Sequence, residues 1–168
     1  MAAVKWIAKG ATLALALATT GCAEHEPMTE LRISSTDFSA EEIEAWVEAA
    51  DSWCAVSPDA CLPVAVVDRG ANVVRLRSLP SGWQAGSCAA MLHSSKGARI
   101  EVAPGCELGI YDATHEIGHA LAMDSDHLDE PGCLMNGRER ADTACVTDAD
   151  AEFVCLRRGC SGAYAGTC

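Results

Sequence analysis

The sequence predicts one small α+β domain, and three observations lead there. Helical spacing of apolar residues recurs in three segments. Short apolar or alternating runs of strand length lie between the first and second of them. The 168 residues are 49% hydrophobic and 21% charged, an ordinary globular composition for a single core. The net charge of −12 argues against nucleic acid as a partner, because phosphates would be repelled by such a surface.

The chain opens on a targeting segment, residues 1–21. Lys5 and Lys9 form a positive region, and Ala11 to Ala18 (ATLALALA) is an apolar stretch too short to span a bilayer as a permanent helix. Thr19-Thr20-Gly21-Cys22 resembles a bacterial lipobox, with cleavage before Cys22 and lipid on its sulfur; Thr19 stands where Leu is usual. Plain secretory cleavage is the alternative. Removal of residues 1–21 takes away two Lys and no acid, so the net charge moves from −12 to −14. Ala23 after the lipidated cysteine suits an outer-membrane destination. The expected location is therefore a bacterial outer membrane or cell surface, reached through an N-terminal lipid anchor, or otherwise the periplasm or the medium.

Residues 22–38 are polar and read as a tether, with His25 solvated. The folded domain is expected over 39–168. Ser39 starts its first helix, with Glu42 three residues on as a capping box, and Ile43, Trp46, Val47, Ala50 and Trp53 should face the core. Cys61–Asp68 and Asn72–Leu79 read as strands, with Arg75 and Arg77 on the polar face of the second. Residues 80–97 hold Pro80, Gly82, Gly86 and Gly97 and read as a long loop, which includes His93. Ala98–Ala103 alternates as a third strand. A second helix is expected from about Leu108 to Met123, a loop over 124–137, and a last helix capped by Thr147 and Asp150 that buries Phe153, Val154 and Leu156. The tail from Gly159 is rich in Gly and Cys.

Ten cysteines in an exported chain imply disulfides formed in an oxidising compartment. No C-x-x-C occurs, which argues against a cysteine zinc site. With Cys22 lipidated nine remain, so one is left over. Connectivity is open; Cys54–Cys61 and Cys88–Cys106 are the simplest pairs.

His115-Glu116-Ile117-Gly118-His119 carries the chemistry. It reads as H-E-x-x-H, the mark of a helix-borne zinc site. Residues i and i+4 lie on one helix face a turn apart, so both imidazoles can reach one ion. Glu116 follows the first ligand, where its carboxylate can reach a water on the metal rather than the metal.

The stretch HEIGHALAMDSDHLDEPGCLMNG resembles the metzincin clan of zinc endopeptidases, in particular its matrixin-like members, whose pattern is H-E-x-x-H-x-x-G-x-x-H followed by a Met-turn. Two positions depart from it. Ala122 stands at the Gly position and Ser125 at that of the third His. His127 restores the pattern through a two-residue insertion, because His127 to Met135 spans the matrixin-like step of eight residues with Pro131-Gly132 and Leu134-Met135 in register. The resemblance implies a small metzincin-like catalytic domain. A twisted, mostly parallel sheet would pack with an N-terminal helix, a zinc-binding active-site helix and a C-terminal helix. It implies Zn²⁺ on His115, His119 and His127, Glu116 as general base, Met135 as the Met-turn residue beneath the metal, and hydrolysis of a peptide or protein substrate by zinc-activated water. It also implies that the strand Gly97–Val102 forms the cleft rim that pairs with substrate. Asp124 and Asp126 are rival third ligands. A gluzincin-like site would need Glu139 or Glu152 instead. The non-enzyme alternative is a lipid-anchored binding or structural protein that keeps a zinc site.

The lipobox reading has a direct test. Metabolic palmitate should label the wild-type protein, and Cys22→Ser should abolish the label. An unlabelled, soluble wild-type product would leave secretion alone standing.

Overall fold

The computed structural model describes residues 28–94, 97–137 and 144–168, with the main chain alone at 93 and 94. The targeting segment, Cys22, His25 and Glu139 lie outside the described residues, as does the side chain of His93. Five strands form one sheet: β1 (Leu31–Ser34), β2 (Val64–Val67), β3 (Val73–Arg75), β4 (Ala89–Ser94) and β5 (Gly97–Val102). Their order is β2-β1-β3-β5-β4. The first four positions in that order are mutually parallel and β4 runs antiparallel to β5. Three helices complete the domain: α1 (Ala40–Val56), α2 (Ile110–Ala122) and α3 (Asp148–Arg158), with a short 3-10 turn at Pro58–Ala60. The α+β class and the mostly parallel sheet with three helices are as the sequence led us to expect.

Local signals explain the helix ends. Ser39 Oγ accepts from Glu42 N–H at 3.2 Å while Ser39 N–H donates to Glu42 Oε2 at 3.0 Å, the reciprocal box that satisfies two donors of the first turn. Thr147 and Asp150 do the same for α3, which stops at Gly159 in the left-handed region, φ 75°. Helix α2 ends at Ala122, and Met123 makes the left-handed turn itself at φ 53°. The turn that a Gly at 122 would provide is thus displaced by one residue.

Five expectations are corrected. The stretch 22–38 is not all tether: β1 lies within it, inside the sheet, with Leu31 and Ile33 on one face and fully buried. Residues 80–97 are not all loop, because Ala89–Ser94 forms β4 along the whole of β5. Val47 and Leu156 are exposed. At about 100° per residue, Val47 falls outside the stripe of Trp46, Ala50 and Trp53, and Leu156 sits roughly 200° round from buried Val154. Arg75 does not occupy an open polar face. It pairs with Glu42 and donates to the carbonyls of Asp37 and Cys106, tying the start of α1 to the segment that leads into α2.

Helices α1 and α2 pack together, α2 also meets β4 and β5, and α3 packs on α2. Trp53 is fully buried between the first two, and its Nε1 donates to Thr114 O at 2.8 Å. The disulfides are Cys54–Cys61, Cys88–Cys106, Cys145–Cys168 and Cys155–Cys160, which include both of the pairs that proximity suggested. Among the described residues Cys133 is the free thiol, and it is buried. No described helix is long and apolar enough to cross a membrane.

The tightest point in this packing is Gly118, on the α2 face turned to α1. A Cβ there would meet the Met135 sulfur and come within 2.9 Å of Trp53 Cζ2. The Met135 end could swing away; the indole, held by its hydrogen bond, could not. Gly118→Ala should therefore lower stability by about 1–2 kcal/mol, since overpacking at about 1–3 kcal/mol outweighs the roughly 1 kcal/mol gain in helix propensity. A urea denaturation midpoint equal to or above wild type would contradict this packing.

Candidate metal centre

One turn of α2 places His115 and His119 on the side of the helix opposite its packed face of Ile117, Ala120 and Leu121. His127 arrives from the loop beyond. The three Nε2 atoms form a near-equilateral triangle: 3.0 Å between His115 and His119, 3.1 Å between His119 and His127, and 3.3 Å between His115 and His127. Three nitrogens on one tetrahedral ion at roughly 2.0–2.1 Å are about 3.3 Å apart, so the triangle matches a single small cation. The cluster can hold a metal ion.

The other ring nitrogens of the two helix histidines are committed. His115 Nδ1 lies 2.7 Å from Leu134 O and His119 Nδ1 lies 2.9 Å from Asp124 O. A carbonyl only accepts, so each Nδ1 carries the proton and each Nε2 keeps its lone pair for an ion. Burial holds His115 below the usual histidine range, against the pull of the Leu134 carbonyl. Burial, with His115 and His127 beside it, pushes His119 down to about 3, and burial lowers His127 as well. Neutral imidazoles are the ligand form, and at neutral pH no proton has to be displaced from them.

The loop that brings His127 in is anchored next door. Leu128 N–H donates to Met135 O at 2.9 Å, and Leu128 forms an isolated bridge with Asn136. Gly137 lies against the imidazole, where a Cβ would come within 2.7 Å of His127 Cγ. Met135 is fully buried, its thioether against Gly118, in the helical turn between His115 and His119.

Glu116 lies on the same helix and lines the same cleft of about 650 Å³, whose walls include Ala85 to Met91 on one side and Ser125, His127 and Gly137 on the other. Its carboxyl is buried. Burial, with Asp112 adding to it, raises its pKa to about 8, opposed by the Met91 N–H that donates to it. Among the described residues Glu116 Oε2 has no partner. A buried acceptor left open beside three converging imidazole nitrogens is the arrangement of a site that expects a ligand.

The structure does not bring the rival ligands into the cluster. The Asp124 carboxylate is taken by Arg157 at 2.9 Å and by Asp126 N–H at 3.0 Å. Asp126 and Glu152 are exposed and stand outside the triangle. Ser125 only lines the cleft wall. The strand Gly97–Val102 is not the rim: as β5 it is paired on both sides, to β3 and to β4. The cleft is flanked instead by β4, with which no other described strand pairs. Because Cys88 O accepts from Ala103 N–H, alternation turns the main-chain groups of Ala89 and Met91 to that outer edge. Sequence reasoning also passed over Gly137 and the Leu134 carbonyl. Neither carries a side-chain signal.

No protein-family model matches the chain, and no curated protein is similar to it in sequence.

The ligand set is testable by metal content alone. His127→Ala should strip the ion or weaken its binding greatly, while Asp126→Ala leaves it in place. The reverse pattern would mean that the loop is threaded differently from the arrangement described.

Proposed function

We propose that this protein is a zinc-dependent endopeptidase of metzincin-like type, with His115, His119 and His127 as the zinc ligands. The observation that carries the proposal is the coincidence of three converging Nε2 atoms with a buried, open carboxylate oxygen of Glu116 in one cleft. Three imidazoles suit several transition metals; zinc fits them best among common ions in an H-E-x-x-H setting. When bound, zinc supplies a Lewis acid that polarises an amide carbonyl and acidifies water. A cation in the triangle also favours the ionised form of Glu116, countering the burial that otherwise keeps its proton.

The chain's own part is proton handling and orientation. Glu116 Oε2 takes a proton from the attacking water and returns it to the leaving nitrogen. Met91 N–H faces the Glu116 carboxylate and favours its ionised form. Met91 belongs to the edge strand, which ties the proton acceptor to the wall along which an extended peptide would lie. Four disulfides fit an oxidising location outside the cytoplasm. Anchoring through lipid on Cys22 is part of the same proposal.

Glu116→Gln separates ligand from base. Zinc content should be unchanged, while cleavage of an unstructured protein substrate should fall by roughly 10²–10⁴-fold. If wild type and Glu116→Gln cleave equally, or neither cleaves any member of a broad peptide library with zinc bound, the site is structural and the peptidase reading fails.

A further inference from the structure

We infer that helix α3 orients two of the three metal-site imidazoles, Asp150 acting on His115 and Arg157 acting on His119. The inference rests on the reading of the triangle as a metal site, though not on its being a peptidase. Neither residue touches the cluster.

Asp150 is fully buried, in an interior that accepts a carboxylate only when its oxygens are satisfied. Its Oδ2 accepts from Leu134 N–H at 2.9 Å and from the Thr147 N–H and O–H at 2.9 and 2.7 Å. Its Oδ1 accepts from Met135 N–H at 2.8 Å. That last bond matters most. Met135 N–H and Leu134 C=O are the two ends of one planar peptide group, and the carbonyl end receives His115 Nδ1 at 2.7 Å. The carboxylate therefore fixes the plane of the acceptor that sets the His115 ring. By polarising that peptide it also makes the carbonyl a better acceptor and the imidazole a stronger ligand.

Arg157 lies seven residues on, two helical turns along the same face. Its Nε donates to Asp124 Oδ2 at 2.9 Å, and its guanidinium sits 3.8 Å over the Phe153 ring. The other Asp124 oxygen accepts from Asp126 N–H, and the Asp124 carbonyl receives His119 Nδ1 at 2.9 Å. The acceptor of the second imidazole is thus held by the same helix as the first. This second brace is half-exposed and correspondingly weaker.

Full-length protein stripped of metal and reloaded with Co²⁺ tests both braces, by chelator competition and by the visible absorption of the bound ion. Near-UV circular dichroism of the stripped form checks folding. Asp150→Asn keeps the shape but loses the charge and one acceptor. It should bind Co²⁺ roughly 10–100-fold more weakly, with a shifted band. Arg157→Met keeps the stem on Phe153 and should lose about two- to fivefold. Glu152→Gln, on the exposed side of α3, should match wild type. A folded Asp150→Asn with wild-type affinity and spectrum overturns the inference. If that variant fails to fold, Arg157→Met decides: a severalfold loss supports the inference, and unchanged affinity overturns it. Wild-type protein that takes up no Co²⁺ overturns this inference and the zinc reading together. Wild-type protein that binds Co²⁺ and cleaves nothing overturns the peptidase reading alone.

Discussion

The dipeptide Leu134-Met135 is the point through which the site is assembled. Its two N–H groups go to Asp150, its first carbonyl to His115 and its second to Leu128, the neighbour of His127. Its methionine side chain packs under Gly118, in the turn that separates His115 from His119. Buried main chain must find partners somewhere. Here the partners lie on three different elements, so satisfying four backbone groups also fixes the relative positions of α2, α3 and the loop bearing the third imidazole.

That constraint explains why the site was legible from spacing while its support was not. The i, i+4 step of His115 and His119 is a property of any helix, and the capping boxes at Ser39 and Thr147 are local sequence patterns. His127 is reached only through the resemblance of its eight-residue step to Met135 to the matrixin-like pattern; the structure closes that loop through Leu128 and Asn136. Backbone acceptors such as Leu134 O and Asp124 O leave no trace in residue identity. Asp150 was readable only as a helix cap, though its second oxygen serves the methionine segment.

The sheet shows the same division. The strand at Val64–Val67 announces itself through β-branched residues. By contrast β1 is four residues long, and its alternation is hidden in a polar stretch whose parallel partners lie some 30–40 residues away. The segment holding β4 is punctuated by glycines and β4 itself opens on two alanines, so propensity argued for a loop; antiparallel pairing with β5 overrides it. The turn after α2 is a milder case. Only a tertiary setting that over-determines the chain lets Met123 take a left-handed conformation that Gly usually occupies.

The disulfide pattern has a consequence for how this chain matures. The four bridges close loops with sequence separations of only 5, 7, 18 and 23 residues. Loop-closure entropy grows with the logarithm of length, so native partners meet more often in an unfolded, reduced chain than most mispaired ones do. Eight cysteines allow 105 pairings, and loop length alone does not select the native one: Cys145 is nearer in sequence to Cys155 and Cys160 than to Cys168, its partner around the nested Cys155–Cys160 bridge. Once α3 has docked, Cys133 is buried and withdrawn from thiol exchange. The folded tail, packed on α3, must therefore select the nested bridges, and burial of the odd thiol marks the step after which the pairing is sealed.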